Sequence, residues 1–512
     1  MYKPRDGQVN FDDFNQPLGM QLNLDNRWVK KASLIPWDEI EEKYAGLFPS
    51  REGNVAKPAR LALGALMIQL EYCFSDEETV AMIQENPYLQ YFCGMKGYEG
   101  QRPFDASLMV HFRKRFTMEI LGEINEMIIQ DTKERKSKGR HDKQPPCGPC
   151  NSPADISDVN GLSDNLSGET PHLEARASAS EEKPSNEGAL IVDATCAPSY
   201  IKYPQDTALL HQAREATEKL IDELRTQRGG KRPRTYARVA RKSYIQFVLK
   251  RRKSQKEIRR TTGKQLGYLK RNLGIIAALL ILGCGLCAKS HRLLEVIRML
   301  YEQQREMYEK RTHRVANRIV SLSQPWLRPI VRGKTTAPVE FGVKLDISVV
   351  GGYTRLEKFS FSAYDEGLEL IAEIERYRER EGHYPVRVLA DKKYRSRENL
   401  KYCKARGISL LGPALGRPPK DPTRQQKLEV RDSRDRIEVE RRFSLAKRKY
   451  GLGMLYTKLQ ETTMSTVALS ILLMNLNKVY FCALIKAHVI YEFLCRLISK
   501  KFIAQGELMA VQ

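Results

Sequence analysis

The sequence predicts a mixed α/β protein in which an all-helical N-terminal domain precedes an α/β core, and that core is interrupted by a long helical insertion. Three observations lead there. Apolar runs of strand length at residues 189–192, 339–350 and 386–390 alternate with amphipathic stretches of helix length. Two of these runs lead into an acid, Asp193 and Asp391. A polar segment, residues 136–188, is rich in Ser, Pro, Asn, Asp and Glu and nearly free of apolar periodicity, so it separates the two regions as a disordered linker.

Residues 1–135 read as the helical domain. LALGALMIQLEY at 61–72 has helical apolar spacing, and Ser75 followed by Asp76, Glu77 and Glu78 is an N-cap with acids in the next first turn. Pro87 and Pro103 punctuate the pattern, and 105–107 (DAS) precedes another amphipathic run, LMVHFRKRF. Such short helices make either a DNA-binding unit, with Arg113, Lys114 and Arg115 meeting phosphates, or a small bundle for dimer contacts.

The core begins with the strand 189–192, ending at Asp193, a place for a catalytic ligand and equally for a loop-starting acid. Residues 207–322 form the helical insertion. Its stretch 225–271 holds 18 Lys and Arg against one acid, Glu257, with Tyr236, Tyr244, Phe247 and Tyr268 interleaved. That excess points to phosphate backbones, with Arg251, Arg252, Lys253, Arg259 and Arg260 as contacts. Strands resume at 339–350, turn at Gly351-Gly352 and return over 354–362 as a hairpin. A helix over 366–381, a buried strand 386–390 ending at Asp391, a short strand 408–411 and a Gly/Pro loop follow. Asp346 competes for a ligand place, but its alternation with Lys344 and Ser348 also permits an exposed face.

The last core element, RDRIEVERRFSLAKRKY at 434–450, selects one acid. At about 100° per residue, Arg436, Glu440, Phe443 and Lys447 share a stripe roughly 60° wide, and Glu438 points almost the opposite way. A carboxylate framed by two cations suits phosphate chemistry; the plainer reading is a solvated helix with i, i+4 charge pairs. Three carboxylates from separate elements can hold two Mg²⁺ or Mn²⁺ ions roughly 3.5–4 Å apart, one at the attacking and one at the leaving oxygen of a phosphodiester. Oxygen ligands without nearby His or Cys fit a hard metal. No GxxxxGK[ST] motif is present, so nothing indicates NTP hydrolysis as the energy source.

Composition agrees. A net charge of +24 makes nucleic acid the expected partner. The ten cysteines are scattered, as in a reducing cytosol, and the CxxC pairs Cys147/Cys150 and Cys284/Cys287 stand too differently placed to share zinc. No signal peptide is visible, and the chain is expected to stay in the cytoplasm. Residues 273–288 are sixteen uncharged residues, short for a bilayer, and are expected as a buried helix. The apolar stretch 467–498, broken by Asn475, Asn477, Lys478, Lys486, Glu492 and Arg496, is expected to pack on the core, so no membrane partner is expected.

Four stretches carry a resemblance: DATCAPSYIKYPQDTALLHQARE at 193–215, QPWLRPIVRGK at 324–334, ADKKYRSRENLKYCKARGISLLGPALGRP at 390–418 and IEVERRFSLAKRKYGL at 437–452. In this order they resemble the DDE transposases of bacterial insertion sequences, in the group of insertion-sequence families four and five. The N-terminal LALGALMIQLEYCFSDEETV is similar to the helical domain preceding the catalytic core in that group.

The resemblance implies an RNase H-like catalytic core over 189–460 with C-terminal helices over 461–512. It implies Asp193, Asp391 and Glu440 as catalytic ligands of Mg²⁺ or Mn²⁺, and Arg436 and Lys447 as phosphate contacts. It also implies nicking at the element's terminal repeats, joining of the freed 3′-OH to target DNA, and assembly of several copies on DNA at a bacterial or archaeal nucleoid. The group's Y-x2-R-x3-E-x6-K signature departs at its first position, where Ser433 replaces tyrosine, and Ala390 stands where glycine is common. The alternatives are a nuclease of the same fold that cuts without joining, and a domesticated DNA-binding protein with an inactive core.

Overall fold

The computed structural model describes residues 21–49, 53–141, 186–229, 231–331, 339–412 and 423–509. The expected linker with its Cys147/Cys150 pair and the Gly/Pro loop at 413–422 lie outside the described residues, as does the side chain of Ser433.

Seven helices come first: α1 (Arg27–Ala32), α2 (Trp37–Ala45), α3 (Ala59–Tyr72), α4 (Asp76–Glu85), α5 (Pro87–Phe92), α6 (Leu108–Arg115) and α7 (Met118–His141). Ser75 caps α4 as expected: its Oγ accepts from the Glu78 N–H and the Glu78 carboxylate accepts from the Ser75 N–H at 2.7 Å. α3 is buried from Ala59 to Ile68, so it is the central helix of this group.

One mixed sheet forms the α/β part. β1 (Ala189–Pro198) is followed by α8 (Asp206–Arg228), α9 (Ala237–Leu249), α10 (Gln255–Ile281) and α11 (Ala288–Lys310). Then come β2 (Arg328–Val331), β3 (Val339–Val350), β4 (Tyr353–Ser360), α12 (Leu370–Glu381), β5 (Arg387–Leu389), α13 (Arg397–Ala405), β6 (Ser409–Leu411), α14 (Thr423–Lys449) and α15 (Gln460–Met509). β3 runs antiparallel to β1 and, through the Gly351-Gly352 turn, to β4; β5 and β6 add in parallel on the other side of β1. β2 extends the start of β3. The hairpin expected from the diglycine is present, and both glycines adopt positive φ.

Period-2 alternation divides the sheet's faces. Leu190, Val192, Val388 and Ala390 pack with Leu370 and Ile374 of α12. Ile191, Ile347, Val349 and Leu389 pack with Val439 of α14 and Ile471 of α15. The N-terminal helices share one continuous core with α15 and with the sheet residues Ala197, Val343 and Leu345.

Two of the polar interruptions of α15, Asn475 and Asn477, are buried rather than solvent-facing. Fully buried Asn475 donates to the Thr354 carbonyl at 2.7 Å and accepts from the Thr354 N–H at 3.0 Å, satisfying the edge strand β4. Asn475 also donates to Asn125 of α7 at 2.8 Å. Beside them Arg355 makes a two-pronged ion pair with Glu126, at 2.6 and 3.0 Å, that joins α7 to β4. Among the described residues one segment, Gln460–Ile485, is long and apolar enough to cross a membrane, and 67% of its apolar 18-residue window is buried inside the protein.

Two expectations are corrected, and two side chains of the N-terminal cation cluster are found engaged within the bundle. The strand carrying Asp193 does not end there: it continues to Pro198 because residues 194–198 keep pairing with β3, from Asp346 to Gly342. Residues 273–288 are not a buried helix. Gly283 takes a left-handed conformation after α10 ends at Ile281, and Ile281 and Leu282 are 85% and 57% exposed. Ile276 is buried against α8 and α11, with Leu273, Ile275, Leu279, Leu280, Cys284 and Leu286 only partly buried around it. Arg113 points inward to ion-pair with Asp76, and Arg115 lies over the Phe48 ring, so these two side chains are engaged within the helical bundle.

Candidate active site

Strand parity turns Asp193, and by extension of β5 Asp391, toward the sheet face that α14 covers. Asp193 shares a side with Ile191, and Asp391 follows Leu389 by two; both of those apolar residues pack under Val439 of α14. Glu440 is the next residue after Val439, at the edge of that contact. Asp193 thus occupies the middle of β1, opposite Ile347, while Asp391 comes just after β5 and caps the 3-10 turn Lys392–Tyr394. Glu438 faces elsewhere and pairs with Arg442 at 3.0 Å, as the helical stripe predicts.

The guanidinium of Arg436 stands among the acids. Its Nη1 is 3.3 Å from Asp391 Oδ1 and its Nη2 is 3.4 Å from Glu440 Oε1. Its charge also reaches Asp193. Asp193 is the desolvated member. Burial pushes its carboxyl up to about 6, against the backbone N–H of Ala194, donated at 2.8 Å, and against the pull of Arg436; the Asp391 and Glu366 charges add to the rise. Asp391 accepts from the Lys392 N–H at 2.7 Å, and both Asp391 and Glu440 reach solvent. Lys447, two turns beyond Glu440, is half-buried on the same helix.

With the side chains so placed, no three His, Cys, Asp or Glu groups among the described residues stand close enough to ligate one ion together. The donor chemistry nevertheless fits a hard cation. Asp193, Asp391 and Glu440 offer only oxygens, and a positive group, the Arg436 guanidinium, already lies between two of them.

Asp346, the competing acid, belongs to the opposite face and is fully buried rather than exposed. Even-numbered residues of β3 point to α12, where the charge of Asp346 raises the buried Glu373. The Tyr394 hydroxyl donates to both Asp346 oxygens, at 3.1 and 3.2 Å. Burial raises Asp346 to about 7 and Glu373 well above the carboxylate range. Neither Glu373 nor Tyr394 stands out in the sequence. The one available signal is that Tyr394 lies three residues after Asp391 inside a 3-10 turn, with its ring turned inward.

The five predicted phosphate contacts gather at the α9–α10 turn, on an insertion with its own apolar core, and the structure does not bring them to the carboxylates. Arg251, Arg252 and Arg260 face solvent. Lys253 is exposed but donates to the carbonyls of Val248 and Lys250, and Arg259 lies over the Tyr308 ring while donating to its carbonyl at 2.8 Å. The interleaved aromatics serve the insertion itself: Tyr236 sits between Arg234 and Arg271, and Tyr244 stacks on His211 at 3.7 Å.

Residues 388–477 match the family Transposase DDE domain, and residues 16–115 match Transposase domain (DUF772). Two stretches of the chain are thus each similar to a transposase domain. The DDE match contains Asp391, Arg436, Glu440 and Lys447 and begins after Asp193. The N-terminal match spans α1 to α6. The chain is also similar to an uncharacterised protein, ORF8 in the nfe locus of Rhizobium meliloti, at 33% identity over 119 residues. That similarity covers 23% of this chain and 57% of the relative, so the chain spans little more than half of that protein's length. No solved structure matches.

Proposed function

We propose that the chain is an insertion-sequence DDE transposase that nicks the ends of its element and joins the freed 3′-OH to target DNA. The observation that carries this reading is the convergence of Asp391 and Glu440 on Arg436, on the sheet face that also bears the desolvated Asp193. The strand arrangement supports an RNase H-like core: an antiparallel meander β1-β3-β4, with β5 and β6 added in parallel beside β1.

Asp193, Asp391 and Glu440 are the residues that would hold divalent ions, Mg²⁺ or Mn²⁺. Such ions, when bound, supply charge stabilisation at the attacking and leaving oxygens of the phosphodiester. The chain's own groups do the rest. Asp193 on its rigid strand orients the reacting face, and the cap at Asp391 fixes that carboxylate against rotation. Arg436 and Lys447 hold phosphate oxygens near the cut. The α9–α10 turn binds flanking phosphates through Arg251, Arg252 and Arg260, with Lys253 and Arg259 beside them. Residues 1–135 form the DNA-binding or dimerising domain, 136–188 the linker and 189–460 the catalytic domain, with 461–512 packing on it; several copies assemble on the element's terminal repeats.

The test is cleavage and strand transfer on DNA carrying the element's own ends, with Mg²⁺, comparing wild type and Glu440→Gln. Loss of both steps with DNA binding retained is the expected result. Cutting without joining by wild type would favour a nuclease, and full activity of Glu440→Gln would remove Glu440 from the site.

A further inference from the structure

Two segments meet beyond the C-terminal end of β1, and each carries tyrosines that stay in solvent. Tyr200, Tyr203 and Tyr456 are 66%, 73% and 69% exposed. Their backbone is pinned. The Tyr200 N–H donates to the Leu455 carbonyl and the Leu455 N–H to the Pro198 carbonyl, both at 2.8 Å, and the Ser199 N–H donates to the Phe341 carbonyl at 2.8 Å. The Leu455 side chain is buried beneath them. The rings of Tyr200 and Tyr456 lie 5.2 Å apart at 35°, and Tyr203 stands edge-on to Phe341 at 5.7 Å. Large aromatic rings held out of the core on a fixed backbone present π-faces to whatever approaches.

The surrounding charge selects the partner. Lys202 and Lys458 are exposed beside the rings, and residues 196–205 and 441–460 contain no Asp or Glu. A face of this kind on a chain of net charge +24 repels a second copy of itself and attracts a polyanion. Flat rings with flanking cations match nucleobases whose phosphates run alongside.

We propose that Tyr200, Tyr203 and Tyr456 form a platform on which unpaired DNA bases stack. This rests on the DNA reading above and adds a place where the strand is not base-paired. Tyr200 lies seven residues past Asp193 along the chain, which at about 3.3 Å per strand residue is at most roughly 23 Å. That is at most about seven base-pair steps of duplex from the candidate active site. Asp391 follows β5, which runs parallel to β1 and is in register with its first half, so the platform lies farther along the same strand direction than Asp193 and Asp391. A duplex end opened near the cut would reach it.

Fluorescence-anisotropy titrations with an oligo-dT single strand and with a blunt duplex, at one salt concentration, test this. The full chain would be used as wild type, as Tyr200→Ala/Tyr203→Ala/Tyr456→Ala, and as the corresponding triple Phe variant, each checked for an unchanged melting temperature. The alanine triple is expected to weaken single-strand binding at least about tenfold while duplex binding moves less than about twofold, and the Phe triple to retain both. An equal loss on both probes, no loss on either, or a change of oligomeric state in the alanine triple would overturn the platform and leave duplex binding by the chain standing. Failure of wild type to bind either probe would overturn the DNA reading, and the platform with it.

Discussion

The Nη1 atom of Arg436 lies 3.3 Å from Asp391 Oδ1, across the gap between the start of a 3-10 turn and the middle of α14. The same guanidinium reaches Glu440 at 3.4 Å. One fixed cation therefore sits between two carboxylates that neighbouring elements bring together, and it offsets their mutual repulsion.

Removing that charge should raise the affinity of the three acids for a divalent cation while impairing DNA chemistry. For Arg436→Ala, isothermal titration with Mn²⁺ in the absence of DNA is expected to show binding about fivefold tighter than wild type, a modest gain because the groups are partly solvent-screened. Cleavage of end-bearing DNA should fall. Weaker Mn²⁺ binding would mean that Arg436 supports the ligands rather than competing with the ion.

The Asp346–Glu373 pair predicts a stability that declines with alkalinity. Both groups hold their proton more tightly in the folded chain, so their contribution is fully present below about pH 4, the unfolded carboxylate range. It is lost as pH rises through about 7, where folded Asp346 titrates, and Glu373 extends the loss upward. Asp346→Asn keeps an acceptor for Tyr394 and cannot ionise. Thermal melts from pH 5 to 9 should show a falling wild-type Tm and a flatter profile for the variant; parallel profiles would contradict the raised pKa of Asp346.

Arg251, Arg252 and Arg260 predict a salt effect. If each meets a phosphate, the triple alanine variant lowers the slope of log K against log salt by about three, nearly equally for all sequences. Filter binding at several ionic strengths reads this directly. An unchanged slope would place the DNA path elsewhere.

Gly342 predicts a stability effect with no charge involved. A Cβ there would stand 2.1 Å from the Ala197 carbonyl oxygen, on the strand paired beside it. Gly342→Ala should cost about 2 kcal/mol or more, measured by urea unfolding, because neither strand can yield without breaking the ladder. A neutral result would mean that the end of β1 moves freely, which would also weaken the pinned backbone beneath Tyr200.

Much of the architecture was legible because it is local. The stripe of Arg436, Glu440, Phe443 and Lys447 follows from helical period alone, and Glu438 does pair elsewhere. The Ser75 cap and the Gly351-Gly352 hairpin need only neighbours a few residues away. The meaning of Asp346 was not legible. Alternation puts Lys344, Asp346 and Ser348 on one side, yet whether that side meets water depends on α12, whose Glu373 covers it.

The sequence by itself therefore determined which residues share a face, where helices and turns begin, and the excess of positive charge on the insertion, since these depend on the spacing of adjacent residues and on composition. Tertiary structure decided which faces are covered. It turned Arg113 inward, left the end of α10 exposed, ran β1 past Asp193, and set Asp391 and Glu440 around one guanidinium while sending Asp346 to the other side. Those outcomes depend on contacts between segments far apart in the chain, where a strand's partner, not its own pattern, decides what is buried.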